Sequence, residues 1–181
     1  SIPTLVEMTK VAINLLSQNK NGFFLVVEGG RIDHAAHQNK VDAAFQETVS
    51  LDNSVKLADQ MTSKDTLIVV TADHETGGLS LNGYGSVNDV KSKELTNPDK
   101  QYVSWATGPL GAKDGKVKKS TKALHYGYAS SHTAVDVPVF AKGPGAQLFS
   151  GVYSNHNIGL KISKILGKDF KSKANFNQAA R

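Results

Sequence analysis

Apolar positions recur at helical spacing in three stretches of the chain, with shorter apolar runs between them. Pro3 fits the first turn of a helix, and apolar residues follow it at intervals of three or four until a stop at Asn21-Gly22. A second helix is predicted to begin near Asp33 and to run to Met61, and a third to cover residues 155–166. These three segments are the helical part of the predicted fold.

Short apolar runs bounded by glycine or turn residues predict buried strands. Residues 23–27 are all apolar, and residues 66–71 are rich in β-branched side chains. A strand, a helix and a strand in this order predict a right-handed crossover unit of a parallel sheet. Further strands are expected at 102–106 and at 137–141, where Pro138 indicates a strand start or an edge. The fold class is therefore α/β.

A long stretch from about residue 79 to 131, with neither helical nor strand periodicity, separates these elements. Gly, Asn, Ser and Lys dominate it, and eight lysines lie between Lys91 and Lys122. Irregular connections of this length are usually functional or mobile. Residues 1–181 thus indicate a single α/β domain with an irregular insertion. Since the three strands outside this insertion and the three helices are few for a doubly wound sheet, we expect other sequence to supply part of that sheet.

Composition narrows the functional classes. With 39% hydrophobic and 20% charged residues the chain is neither disordered nor membrane-like, and no apolar run approaches a membrane-spanning helix. It has no leader of the signal-peptide type and begins at Ser1, so we expect a processed or truncated start. There is no cysteine, so a metal would need nitrogen and oxygen ligands. The net charge of +5 comes without interleaved arginine and aromatic residues, so no nucleic-acid partner is expected.

Carboxylates and imidazoles gather in three clusters beside the predicted strands. The clusters contain Glu28, Asp33, His34 and His37; Asp73, His74 and Glu75; and His132. Open α/β sheets place their sites at the carboxyl ends of parallel strands. The pattern indicates a metallohydrolase.

The spacing within each cluster has an ordinary explanation as well as a functional one. Asp33 and His37 are four residues apart on one helical face, which suits either a shared ion or a surface pair. Asp73 and His74 could bind one ion just past a strand, or cap a turn. His132 alone would be a bystander, as we take His125 and His156 to be.

Together the clusters provide enough ligands for two zinc ions and one harder ion. A tetrahedral zinc site needs a third protein ligand beside an Asp–His pair, and His132 could supply it. Two ions about 4 Å apart clamp the attacking and leaving oxygens of a displacement at phosphorus. Glu28 would suit Mg²⁺, which prefers oxygen ligands. Glu75 is expected to be exposed and without function.

The motifs resemble those of the alkaline phosphatase family. Residues 22–37, with Glu28-Gly29 and Ile32-Asp33, resemble its first metal motif, and Thr71-Ala72-Asp73-His74 resembles its second. His132-Thr133 followed by Gly143-Pro144 resembles its third. The order and approximate spacing agree from about Pro3 to Gly167.

The resemblance implies a role for each ligand in a three-layer α/β sandwich, which has a mostly parallel central sheet and helices on both faces. The implied first zinc site is Asp33, His37 and His132, the second zinc site includes Asp73 and His74, and magnesium binds at Glu28. His34 and Thr133 would be neighbours of these ligands. Family members hydrolyse phosphate monoesters through a phosphoserine, release inorganic phosphate, and are usually homodimers in the periplasm or outside the cell.

Departures from the family pattern define what this chain lacks. Ser131 stands where many members have an acid, and Ala134 where glycine is common. No Asp-Ser motif is present, neither Ser130 nor Ser131 suits the nucleophile, and Arg31 is not the phosphate clamp by position. We therefore expect the C-terminal part of such an enzyme, with no catalytic nucleophile of its own and no turnover when alone.

Three alternatives remain at this stage. A related phosphodiesterase, sulfatase or phosphomutase would use the same scaffold, although the Glu28 motif favours a monoesterase. A non-catalytic metal-binding or phosphate-binding module is the second, and a basic surface-interaction protein is the third.

Overall fold

A computed structural model of the chain describes residues 2–81, 103–107 and 130–167. Most of the predicted insertion, with its lysines and His125, lies outside these residues. The chain forms two compact units, one from Ser1–Met61 with His74–Val137 and the other from Thr62–Asp73 with Pro138–Arg181. All candidate metal ligands except Asp73 belong to the first unit, which therefore positions the site.

Three helices build the first unit. They are α1 (Leu5–Leu16), α2 (Arg31–His37) and α3 (Val41–Met61), and α3 packs against both of the others. A capping box starts α1, because Thr4 Oγ1 accepts the Glu7 N–H while the Glu7 carboxylate accepts the Thr4 N–H. Buried Ile13, Ala35, Ala36 and Ala44 form the core of the three helices.

The long helix predicted from Asp33 to Met61 is two helices in the structure. Asn39 interrupts it with a φ of +52°, a left-handed conformation that asparagine tolerates better than most residues. The Lys40 N–H donates to Ala35 O at 3.0 Å, which completes the end of α2. The break separates the short helix of Asp33 and His37 from the long supporting helix.

Two small antiparallel strand pairs complete the first unit. β2 (Glu75–Thr76) pairs with β5 (His132–Thr133), and β3 (Leu79–Leu81) pairs with β4 (Val103–Trp105). Gly77 lies between β2 and β3 with a φ of +90°, and a β-carbon there would stand 2.5 Å from Cε3 of Trp105. Only glycine combines this backbone with such close contact to the ring.

The second unit contains one strand pair and one longer helix. β1 (Ile68–Thr71) runs antiparallel to β6 (Val139–Lys142). A 3-10 helix at Ala146–Phe149 buries Phe149, and α4 (His156–Ile165) follows it. Among the described residues no helix is both long and apolar enough to cross a membrane.

The apolar segment 23–27, predicted as a strand, is not one in the structure. It makes no backbone hydrogen bond to another described residue, so nothing in that part of the chain pairs with it. Its burial nevertheless alternates, with Phe24 60% and Val26 73% exposed between half-buried neighbours, as in a strand with one open face. Every described strand pair is antiparallel, so the parallel central sheet stays a prediction. The single domain over residues 1–181 is likewise still a prediction.

Candidate metal centre

Asp33, His37 and His132 converge on one point of the first unit. Asp33 Oδ1 lies 3.2 Å from His37 Nε2 and 3.5 Å from His132 Nε2. The two Nε2 atoms are 3.1 Å apart, although the histidines are separated by 95 residues in the sequence. One turn of α2 carries the first two side chains and β5 carries the third, so the structure brings the predicted trio together.

His74 borders the same cluster. Its ring stacks on that of His132, with centroids 3.5 Å apart and an angle of 22° between the planes. Asp33, His74 and His132 each offer one donor atom within 4.8 Å of the other two. His74 was predicted for a second ion, and since its donor groups with those of Asp33 and His132, its assignment to a separate ion stays a prediction.

Ser130 fixes the orientation of the His37 ring. His37 Nδ1 lies 2.8 Å from Ser130 O, and because a carbonyl only accepts, Nδ1 carries the hydrogen. In the neutral ring the lone pair of Nε2 then faces Asp33 and His132. Ser130 is itself anchored, since its buried hydroxyl donates to Ala36 O at 2.9 Å and its N–H donates to His37 O at 2.9 Å. Ser130, excluded as a nucleophile, thus supports a candidate ligand.

Thr76 makes a similar contact to Asp33. Its buried hydroxyl donates to Asp33 Oδ1 at 2.6 Å and lies 3.2 Å from His74 Nδ1. Because that hydroxyl hydrogen is used on Asp33, the contact with His74 is satisfied when His74 Nδ1 donates. In that tautomer His74 Nε2 is the nitrogen with a lone pair of the kind that binds a metal.

Glu75 is half-buried, so the expectation that it is exposed is wrong. Its carboxylate accepts hydrogen bonds from the Gly78 N–H at 2.9 Å, the Leu79 N–H at 3.0 Å and the Thr133 hydroxyl. Partial burial raises the pKa of Glu75, but these hydrogen bonds and the attraction of His132 outweigh burial and hold the pKa below its ordinary value.

The segment 103–107 ties the surroundings of the site together. The Thr107 N–H donates to Gly77 O at 2.9 Å, and the Thr107 hydroxyl donates to Ser131 O at 3.2 Å. Asn39 Nδ2 donates to Thr107 O at 3.3 Å. The end of α2, the turn after β2 and the start of β5 are thereby connected through one threonine.

The remaining predicted site residues are Glu28, His34 and Asp73. Glu28 is exposed and its Oε1 turns over Gly30, 3.2 Å from where a β-carbon of that glycine would stand. His34 is exposed on α2, and Asp73 follows β1 in the second unit. The roles given to these three residues stay predictions.

Sequence reasoning missed the hydroxyl residues Thr76, Ser130 and Thr107. Thr76 follows the Asp73-His74 pair closely, but a lone threonine is not a recognisable signal for a metal site. Their contacts depend on segments that are distant in sequence, so spacing along the chain could not reveal them.

Comparison with known proteins identifies similar chains. The sequence profile of the family described as alkaline phosphatase matches residues 1–168. A membrane-bound alkaline phosphatase of Bombyx mori is 38% identical over 177 residues, which cover 86% of this chain and 32% of that protein. The tissue-nonspecific alkaline phosphatase of Gallus gallus is 39% identical over 173 residues, covering 83% of this chain and 32% of that protein.

Solved structures give the same result. A mutant alkaline phosphatase of the Antarctic bacterium TAB5, described with magnesium bound in its M3 site, superposes with a TM-score of 0.69 at 30% identity. The match covers 91% of this chain and 42% of that one. This similarity supports an alkaline-phosphatase-like α/β fold for the chain. The chain spans about a third of the length of the two curated relatives named above.

Proposed function

The chain belongs to the alkaline phosphatase family, and from that premise we propose that it provides most of the metal-binding part of a phosphate monoesterase. The observation that carries the proposal is the convergence of Asp33, His37 and His132, with donor atoms 3.1–3.5 Å apart. The substrates would be phosphate monoesters, and inorganic phosphate would be a product.

The spacing of the three donors fits a zinc ion. Ligands about 2.0–2.2 Å from a tetrahedral centre stand about 3.3–3.6 Å from one another. The observed separations of 3.1, 3.2 and 3.5 Å lie close to that range. One carboxylate and two imidazoles are also a ligand set that zinc favours, and three protein ligands leave a fourth position open.

A second zinc and a magnesium complete the proposal. Asp73 and His74 would hold the second zinc, together with ligands from outside this chain, and the nearness of His74 to His132 supports neighbouring ions. Glu28 would bind magnesium, with His34 close by. The magnesium described in the TAB5 mutant supports a magnesium site in the family.

The residues of this chain would orient the ions and hold them in place. Zinc bound here would supply Lewis-acid stabilisation of the oxygens that attack and leave phosphorus. Asp33 contributes negative charge, which Thr76 holds in place by its hydrogen bond, and Ser130 orients His37. The nucleophilic serine, which forms the phosphoserine, and the phosphate-binding arginine would come from sequence outside this chain.

The open apolar segment 23–27 supports a contribution from the rest of the polypeptide. Five apolar residues that form no described backbone hydrogen bond would leave strand donors and acceptors without partners. Exposed Phe24 and Val26 add apolar surface on the same segment. We therefore propose that the N-terminal part of the same enzyme pairs with this segment. The complete enzyme would be a homodimer in the periplasm or outside the cell.

The test uses the intact polypeptide, by which we mean this chain together with the proposed N-terminal part of the enzyme. Its rates of hydrolysis of three ester types test the proposal. We expect an aryl phosphate monoester to be cleaved faster than the matching diester or sulfate, and His132→Ala to lower that rate by about 100-fold. His156→Ala, in α4 of the second unit, is the matched histidine control and should retain the rate.

Three results would contradict the proposal. A preference for the diester or the sulfate would indicate one of the related enzymes instead. A His132→Ala variant as active as the control would show that the proposed metal site is not needed for the reaction. Burst release of product by residues 1–181 alone would show that the nucleophile is within this chain.

A further inference from the structure

The Glu75 carboxylate links two segments that are far apart in sequence. Oε2 accepts from the Gly78 N–H and from the Thr133 hydroxyl, while Oε1 accepts from the Leu79 N–H. Two of the donors follow β2 and the third lies on β5. Both carboxylate oxygens are thus engaged by protein donors, which favours a structural task over direct metal binding.

Those hydrogen bonds act on the strand that carries His132. β2 pairs with β5 so that Glu75 faces Thr133 and Thr76 faces His132. β5 has only two residues, and the His132 side chain is 48% exposed, so packing other than its stacking on His74 restrains it little. Hydrogen bonds to β5 must therefore largely determine the position of His132.

β2 also holds the opposite side of the candidate site. Thr76 donates to Asp33 Oδ1, and the neighbouring Glu75 binds the residue next to His132. Two adjacent residues of β2 consequently fix one ligand on α2 and one ligand on β5. Ser131, just before β5, stays bonded to Gly77 and Thr107. Removal of the Glu75 bond should therefore loosen β5 from the Thr133 side and shift His132, while leaving the Thr76–Asp33 bond intact.

We infer that Glu75 is a positioning residue for the first zinc site. Glu75 holds β5 so that His132 Nε2 stays beside Asp33 and His37. The inference rests on the proposed function, because the task exists only if the three donors share an ion. It assigns to Glu75 no contact with substrate or with the metal.

Zinc affinity and the visible spectrum of the Co²⁺-substituted intact polypeptide test the inference. Glu75→Ala should weaken zinc binding by about 10–100-fold, measured by competition with a chelator, and should change the cobalt spectrum from that of a tetrahedral site. Glu75→Gln keeps one acceptor oxygen and should recover part of the affinity and the spectrum. Thr133→Val removes the same bond from the other side and should reproduce the loss, and the double variant should lose little more.

Glu7→Ala is the matched control. Glu7 also accepts a hydrogen bond from a threonine hydroxyl, that of Thr4 at 2.9 Å, but it lies in the first turn of α1. This variant should lower the unfolding temperature while leaving zinc affinity and the cobalt spectrum unchanged.

The possible failures are distinguishable. Wild-type zinc affinity and spectrum in Glu75→Ala, with or without lower stability, would overturn the inference alone. If Glu75→Ala does not fold, Thr133→Val decides, and wild-type affinity in that variant overturns the inference. Unchanged zinc affinity in His132→Ala would overturn the proposed function and, with it, the role of Glu75.

Discussion

Replacement of Gly77 by alanine should destabilise the first unit through two separable effects. Its φ of +90° is a conformation in which a non-glycine residue costs about 1–2 kcal/mol. The added β-carbon would also stand 2.5 Å from Cε3 and 2.6 Å from Cζ3 of Trp105. Overpacking of this kind typically costs about 1–3 kcal/mol. We therefore expect Gly77→Ala to lower the free energy of unfolding by about 2–5 kcal/mol.

Gly22 provides the matched control for the backbone effect. Its φ is +83°, and a β-carbon there would meet nothing within 4 Å. Gly22→Ala should thus cost only about 1–2 kcal/mol. The difference between the two variants measures mainly the clash with Trp105, with a smaller part from Ala36 O, which lies 3.3 Å from the same β-carbon.

Urea unfolding of the intact polypeptide, followed by circular dichroism, gives both free energies. In a Trp105→Ala background the cost of Gly77→Ala should fall most of the way to that of Gly22→Ala, since the clash with the ring is gone and only the contact with Ala36 O at 3.3 Å remains. Equal costs for Gly77→Ala and Gly22→Ala in the wild-type background would refute the reasoning. They would mean that the indole does not lie on the turn after β2.

Three further predictions concern the site, an acid-sensitive cap and the open segment. Thr76→Val removes the donor to Asp33 but keeps the side-chain shape, and should weaken zinc binding by about 10–100-fold in a chelator competition, whereas Thr76→Ser should restore it. The Thr4 backbone and hydroxyl hydrogen bonds hold the pKa of Glu7 below its ordinary value, so its stabilising contribution is present at neutral pH and is lost as the pH falls through the folded-state pKa. Glu7→Gln should accordingly make the unfolding midpoint fall less steeply with pH below about pH 4.5. The same steep fall in the variant as in the wild type would argue against a stabilising role for the Glu7–Thr4 capping box. Phe24→Lys should prevent assembly with the N-terminal part, seen as insoluble or inactive intact polypeptide, and normal activity would contradict the proposed strand pairing.

Local periodicity predicted the long elements but not their interruptions. α1 and α4 lie where helical spacing placed them, because many turns repeat the same apolar face. The break at Asn39 was invisible, since apolar residues continue at helical spacing on both sides of it. Strands of two residues, such as β2 and β5, contain no period and arise from pairing with distant segments.

Motif spacing predicted the candidate ligands better than the residues that contact them, although their metal binding stays a prediction. Asp33 and His37 share one face of α2, and the resemblance joined them to His132, which the structure places beside them. Ser130 and Thr76 contact the candidate ligands His37 and Asp33 through single hydrogen bonds between segments remote in sequence. Their chemistry is common to surface serines and threonines, so only the tertiary arrangement distinguishes them.

Anomalous diffraction at the zinc absorption edge, from crystals of the intact polypeptide, tests the central claim most directly. The account predicts a zinc peak with Asp33, His37 and His132 as ligands, each about 2.0–2.2 Å from the ion. A zinc peak bound by other residues, with these three side chains pointing apart, would contradict it.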